Sequence, residues 1–261
     1  MNYLVQAICG PNLAQLLCLC GGKFKERTLA LIGLQLIDRL EVLHEKKYLY
    51  LNMMPENFVV GLDHESHLIK MIDFSNCRLF KSKNKNTHIP YSSNIKNNAN
   101  PLFSSTNSHL NIQLSRRDDL ESMVYLLVYL HRGKLPWSKI DKKMSQKEYS
   151  SAIHQIKSAV APESLLKGLP LEYLEMFREI KSLKFYEKPD YDLLRKKLWI
   201  ALMETNYEEL KKCIITYDWQ ERDSLDYDIY RERPKIRRKE RTPENQESMS
   251  QSAFESDDNL V

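Results

Sequence analysis

A helical hydrophobic period recurs along most of this chain of 261 residues. In residues 27–46, leucine and isoleucine recur at i, i+3, i+4 and i+7, which places them on one face of an α-helix. These positions are Leu29, Ile32, Leu36, Ile37, Leu40 and Leu43. Residues 117–132 are apolar nearly all round, which indicates a helix buried at the centre of a fold. Amphipathic patterns at 145–160, 170–183 and 190–204 predict three more helices, so we predict a mainly α fold.

Shorter elements are predicted towards the N-terminus. Residues 3–9 are predicted as a short strand, and Asn12 as the N-cap of a short helix that follows it. Phe58-Val59-Val60 and residues 68–72 are β-branched or apolar runs, separated by a turn at Gly61-Leu62-Asp63. Two such runs with a tight turn between them predict a β-hairpin.

Composition divides the chain into a globular domain, residues 1–221, and a tail, residues 222–261. The hydrophobic pattern fades in the tail, which is first basic and then acidic and Ser-rich, so we predict that it is disordered. Its basic cluster, residues 231–241, fits a nuclear localisation signal or a solvated linker equally well. Within the domain, residues 81–113 are polar and are predicted as a long loop.

The composition also excludes several classes of protein. Hydrophobic residues make up 42% and charged residues 28%, which is typical of a globular protein. The net charge of +4 is too small to indicate nucleic-acid binding, and we expect no nucleic-acid partner. The five cysteines include no Cys-x-x-Cys pair, which favours reduced thiols in the cytoplasm or the nucleus. No apolar run approaches the roughly 18 residues of a membrane span, so we expect no membrane partner.

Several motifs follow one another in a consistent order. The stretch at residues 50–59 reads Tyr-Leu-Asn-Met-Met-Pro-Glu-Asn-Phe-Val, and residues 71–75 read Met-Ile-Asp-Phe-Ser. Further motifs are Gly10-Pro11-Asn12-Leu13, His88-Ile89-Pro90-Tyr91, Ser115-Arg116-Arg117-Asp118-Asp119-Leu120-Glu121-Ser122, Leu135-Pro136-Trp137, Lys188-Pro189-Asp190-Tyr191 and Tyr217-Asp218-Trp219. With these motifs the chain resembles the casein kinase 1 family of serine/threonine protein kinases over residues 3–219.

The resemblance implies a protein kinase-like C-terminal lobe with short β-hairpins, running from the hinge onward. Neither a Gly-x-Gly-x-x-Gly motif nor a Val-Ala-x-Lys strand occurs in the sequence. These motifs belong to the N-terminal lobe of kinases, where they hold the nucleotide phosphates. We therefore expect the N-terminal β lobe to be absent.

The resemblance also implies that the catalytic loop has lost its chemistry. The family reads His-Arg-Asp-x-Lys-Pro-x-Asn here, so Asn52 stands at the position of the general base and Met54 at that of the catalytic lysine. An amide takes up no proton at neutral pH. A thioether cannot neutralise charge on a transferring phosphoryl group. We expect both positions to be catalytically dead.

Three further positions match functional residues of the family. Asn57 and Asp73 occupy the two metal-holding positions, where they are either metal ligands or relics with a local capping role. Asp119 matches a residue of the central helix that bonds to the backbone of the catalytic loop in kinases. We expect Asp119 to be this structural anchor rather than only a helix cap.

The resemblance assigns five residues to a nucleotide pocket. The hinge residues Ala7 and Cys9 would present backbone groups to adenine, Gln6 would take the gatekeeper position, and Val59 and Ile72 would floor the pocket. Without a lobe above them these residues would hold a nucleotide on one face only, whereas ligand sites normally bury most of their ligand. We expect weak or absent ATP binding.

Two functions follow from these expectations. The first is a casein kinase 1-like pseudokinase with a protein-binding or scaffold role and little or no phosphotransfer. Its partner would be another protein, or a second copy, covering the surface that faces the missing lobe. The alternative is a serine/threonine protein kinase that transfers the γ-phosphate of ATP to protein Ser or Thr with Mg²⁺, its N-terminal lobe being missing from this chain.

Overall fold

The computed structural model describes residues 7–82, 84, 86–95, 97, 99–141, 143–211 and 216–221. The predicted disordered tail, residues 222–261, and Gln6 lie outside these described residues. Within them the helices are α1 (Leu13–Leu19), α2 (Glu26–Glu45), α3 (Thr106–His109), α4 (Arg116–Arg132), α5 (Gln146–Ala159), α6 (Pro162–Leu165), α7 (Leu171–Ser182) and α8 (Tyr191–Lys211). The prediction of a mainly α fold is confirmed.

The core forms where α2, α4 and α8 pack together. Helix α2 contacts both α4 and α8, and α7 also contacts these two helices. Nearly every position of α4 from Leu120 to Leu130 is buried, as its apolar pattern predicts. Gly33 lets α2 approach α8, since a Cβ at this position would lie 2.8 Å from Cδ1 of Leu198. The apolar stripe of α2 is therefore the inner face of the fold.

Two small antiparallel sheets lie on this helical core. Strand β2 (Phe58–Val60) pairs with β3 (Ile69–Met71), which confirms the predicted hairpin; a 3₁₀ turn, Asp63–Glu65, lies in its connection. Strand β1 (Tyr48–Leu49) pairs with β4 (Arg78–Leu79). This second pair was not predicted from the sequence, because strands of two residues show no periodicity.

The predicted strand at residues 3–9 is wrong for residues 7–9, which form no strand. The chain reaches β2 one residue later: the Gly10 amide donates to the Val60 carbonyl at 2.9 Å, and the Val60 amide donates to the Pro11 carbonyl at 3.0 Å. Glycine avoids crowding at position 10, where a Cβ would lie 3.0 Å from the Gly61 carbonyl oxygen. Asn12 caps α1 as predicted, by accepting a hydrogen bond from the Gln15 amide.

The segment at residues 81–113 is less uniform than predicted. Helix α3 interrupts it, because the Ser105 side chain accepts a hydrogen bond from the Ser108 amide and so caps a short helical turn. The prediction of one continuous loop is therefore wrong at residues 106–109. Within the part of the chain that the structure describes, no helix is long and apolar enough to cross a membrane.

Candidate functional site

The segment at residues 50–59 runs from β1 into β2 and is held at its start by Asp119. The buried Asp119 carboxylate accepts hydrogen bonds from the backbone amides of Tyr50 and Leu51, each at 2.8 Å. Leu51 has a φ of +58°, which is unfavourable for a non-glycine residue. Because one carboxylate binds two successive amides, it stabilises this turn of the backbone.

Two residues whose role was not predicted from the sequence, His44 and Tyr191, support Asp119. His44 is buried, with Nε2 2.9 Å from Oδ2 of Asp119 and Nδ1 2.6 Å from the hydroxyl of Tyr191. His44 continues the apolar row Leu36 and Leu40 at a spacing of four residues, and this position on a buried stripe was the available signal. The chain from Tyr191 through His44 to Asp119 fixes the carboxylate from the inside of the fold.

Tyr50 connects this segment to residues 71–75. Its side chain is fully buried, and its hydroxyl donates to the Ile72 carbonyl at 2.6 Å. The rings of Phe58 and Phe74 each lie 5.9 Å from the Tyr50 ring. Burial, together with the nearby thiol of Cys77 and neighbouring carboxylates, raises the pKa of Tyr50. The phenol is thus a neutral hydrogen-bond donor with a structural place in the site.

Asn52 is the residue around which the predicted catalytic groups gather. Its buried amide nitrogen Nδ2 donates to Oδ2 of Asp73 at 2.8 Å and lies 3.2 Å from the Asp73 carbonyl oxygen. Asn57 in turn donates from its Nδ2 to the Asn52 carbonyl at 2.9 Å. The structure therefore brings Asn52, Asn57 and Asp73 together, with an amide N–H directed at the carboxylate.

Asp73 is the ionisable group of this cluster. It is exposed and has a φ of +53°, a conformation that aspartate tolerates better than most residues. Hydrogen bonds from the side chain and the backbone of Ser75, and then from Asn52, lower the pKa of Asp73. The carboxylate is therefore ionised at neutral pH, and the neutral Asn52 can lie against it without charge repulsion.

Met54 does not join this polar cluster. Its side chain is half-buried and packs against the hydrophobic core. The predicted catalytic-lysine position thus contributes apolar contact. The Met54 side chain is uncharged, so it places no positive charge near the carboxylate of Asp73.

The donor set for a metal ion is small. Asn57 and Asp73 offer oxygen atoms of the kind that Mg²⁺ prefers. However, both Asp73 carboxylate oxygens already accept N–H hydrogen bonds, from Ser75 and from Asn52. In the described ranges no group of three or more His, Cys, Asp or Glu side chains could hold a metal ion. The assignment of Asn57 and Asp73 as metal ligands stays a prediction.

The residues assigned to a nucleotide pocket lie in three places. Ala7 and Cys9 precede residues 10–12, which pair with β2, whereas Val59 lies in β2 and Ile72 directly follows β3. Ala7 is exposed and Cys9 half-buried, whereas Val59 is buried within β2. Ile72 donates its backbone amide to the Asn57 carbonyl at 2.9 Å. None of these four residues lines the cavities of about 410 and 190 Å³, so the assignment stays a prediction.

No protein-family model matches this chain. Asp119 thus supports the start of the segment at residues 50–59, and the Asn52 amide of that segment donates to the Asp73 carboxylate.

Proposed function

We propose that this chain is a casein kinase 1-like pseudokinase, with the fold of a kinase C-terminal lobe and a protein-binding or scaffold role. It carries out little or no phosphotransfer. The observation that supports this proposal most is the hydrogen bond from the Asn52 amide to the Asp73 carboxylate.

The direction of that hydrogen bond decides what Asn52 can do. A general base must accept the proton of the substrate hydroxyl in the transition state. Asn52 instead donates N–H to Asp73, and its amide has no basic lone pair at neutral pH. Loss of such a group typically reduces the rate by about 10²–10⁴. Met54, packed against the core, adds a second loss because it supplies no cation.

The surrounding contacts favour a role that needs a fixed surface without catalysis. Asp119, His44 and Tyr50 hold the segment through buried hydrogen bonds that involve neither Asn52 nor Asp73. A segment held in this way keeps its shape after its reactive groups have changed. A binding protein needs a surface of fixed shape but no reactive side chains.

Exposed apolar side chains point to a protein partner. Ile8 is 61% and Phe74 is 52% exposed; Ile8 lies between Ala7 and Cys9 of the assigned nucleotide pocket, and Phe74 follows the assigned metal ligand Asp73. Exposed apolar surface beside a polar rim is typical of protein-binding surfaces. We propose that a partner protein or a second copy of the chain covers Ile8 and Phe74.

The rival function, a serine/threonine protein kinase using ATP and Mg²⁺, is favoured by the ionised Asp73 carboxylate and the neighbouring Asn57 side chain. Thermal unfolding with and without ATP and Mg²⁺ separates the two functions. We expect the melting temperature of the wild type to shift no more than that of an Asp73→Ala variant. A saturable shift that is lost in Asp73→Ala would contradict the pseudokinase proposal.

The partner surface is tested by sedimentation and by binding of a hydrophobic dye. We expect dye binding or self-association that decreases in an Ile8→Ser, Phe74→Ser double variant. The control is Trp199→Ser, which removes from α8 an apolar side chain that is 46% exposed. A stable wild-type monomer that binds no dye would count against this surface.

A further inference from the structure

A cavity of about 190 Å³ lies away from Asn52 and Asp73, between the end of α2, the segment after β4 and the starts of α4 and α8. Four basic side chains line it, which are Lys47, Lys81, Arg116 and Lys188. Two acidic residues, Glu41 and Glu45, also line it. The Glu41 carboxylate is bound by Arg195 at 2.7 Å, so the cavity has an excess of positive charge.

Arg116 is the unusual member of this lining. It is only 7% exposed, and its guanidinium makes no ion pair with a carboxylate in the described part of the chain. Its Nη2 donates to the Tyr186 carbonyl at 2.9 Å, and its buried Nε has no hydrogen-bond partner. Because buried charges in proteins are normally paired, a bound anion would supply the counter-charge that Arg116 does not receive from the described residues.

The three lysines of the lining resemble Arg116 in this respect. Lys47, Lys81 and Lys188 form no ion pair among the residues that the structure describes. Lys81 Nζ and the Arg116 guanidinium lie 6.0 and 4.9 Å from the centre of the same Phe80 ring. Two cations beside one ring repel each other, and a bound anion in the cavity would offset that repulsion.

Two long helices begin at this cavity. Arg116 is the first residue of α4 and Tyr191 the first of α8, and both line the cavity. The N-terminal end of a helix carries a partial positive charge. Hydrogen bonds from the amides of Asp118 and Leu193 to Ser115 and Asp190 already cap these ends. The helices therefore favour an anion through their dipoles, and the side chains supply the direct contacts.

We infer that this cavity binds the dianionic group of a phosphate monoester. The planar fork of an arginine matches phosphate oxygens, and lysines add mobile positive charges around them. The group would come from a small organic phosphate or from a phosphorylated side chain of a peptide. This site is separate from the cluster at Asn52 and goes beyond the proposed function, so either proposal can fail without the other.

The test is binding of inorganic phosphate to the full chain, measured by calorimetry and by thermal unfolding at constant ionic strength in NaCl. We expect saturable binding with a Kd on the order of 1 mM. A Lys47→Gln, Lys81→Gln, Lys188→Gln triple variant should bind about tenfold more weakly or worse. Lys167→Gln, which changes the same charge on an exposed residue outside the cavity, should bind within about twofold of wild type.

The lysine variants are used because a change at the buried Arg116 can unfold the chain. Circular dichroism without phosphate checks that the triple variant is folded. Phosphate that stabilises no more than NaCl, or equal binding by the triple variant and Lys167→Gln, would overturn the inference.

Phosphoserine and a phosphoserine peptide then identify the source. Tighter binding of the peptide supports a phosphorylated side chain, and equal binding supports a small organic phosphate. Failure of phosphoserine itself to bind contradicts the site.

Discussion

Two groups of residues in this site differ in how their side chains interact. We call His44, Tyr50, Asp119 and Tyr191 the support network, and Asn52 and Asp73 the loop pair. In the network, one buried carboxylate accepts from two backbone amides and contacts an imidazole, so three groups depend on it. In the loop pair, an exposed carboxylate is bound by a neutral amide that contributes no charge. The support network therefore keeps the backbone of this segment ordered. A change in the reactive residues of the loop pair leaves that order in place.

The largest effect is expected from Asp119→Ala, which breaks the network. It leaves the Tyr50 and Leu51 amides and the His44 ring without their buried acceptor, and we expect a loss of about 3–5 kcal/mol in the free energy of unfolding. Urea denaturation measures this loss. The control is Asp192→Ala, whose side chain is 91% exposed, with an expected change below about 1 kcal/mol. Equal losses for the two variants would show that the network does not support the fold.

A smaller effect is expected from Tyr50→Phe, which keeps the packing of the ring and removes the hydroxyl. The Ile72 carbonyl loses its donor, so the free energy of unfolding should fall by about 1–2 kcal/mol in urea denaturation. Tyr91→Phe, at a half-exposed ring, serves as the control and should change little. A Tyr50→Phe variant as stable as wild type would mean that this hydroxyl does not tie the two segments together.

The loop pair is changed directly by Asn52→Asp, which places a second carboxylate beside Asp73. Like charges raise the pKa of at least one of the two groups. We expect a loss of about 1–2 kcal/mol at pH 7 that disappears as the pH falls below the raised pKa. Asn94→Asp, at an exposed position, is the matched control. Unfolding curves that show a pH-independent loss would rule out charge repulsion as the cause.

The smallest effect is expected from the titration of Asp73 itself. Its folded pKa lies below the ordinary value of 3.8, so its stabilisation is present above pH 3.8 and is lost as the pH falls through the folded pKa. Because the group is exposed, the wild type should exceed an Asp73→Asn variant by less than about 1 kcal/mol at pH 7. The two curves of stability against pH should converge at low pH. Curves that stay parallel would contradict the pKa shift.

The sequence predicts the helices because burial of one face imposes a period of 3.6 residues, as in α2 and α4. It does not predict the pairing of β1 with β4, since two-residue strands leave no pattern. The contact between His44 and Tyr191 joins residues far apart in the chain and depends on how α2 packs against α8. Nor does a motif reveal that the buried Nε of Arg116 has no hydrogen-bond partner among the described residues, because that follows only from the packing around it.

The most direct test is transfer of radiolabelled phosphate from ATP to casein with Mg²⁺, comparing the wild type with Asp73→Ala. We predict equal, background incorporation for both proteins, because Asn52 cannot take a proton and Met54 supplies no cation. Incorporation by the wild type above the Asp73→Ala level would contradict the loss of catalysis on which the proposed function rests.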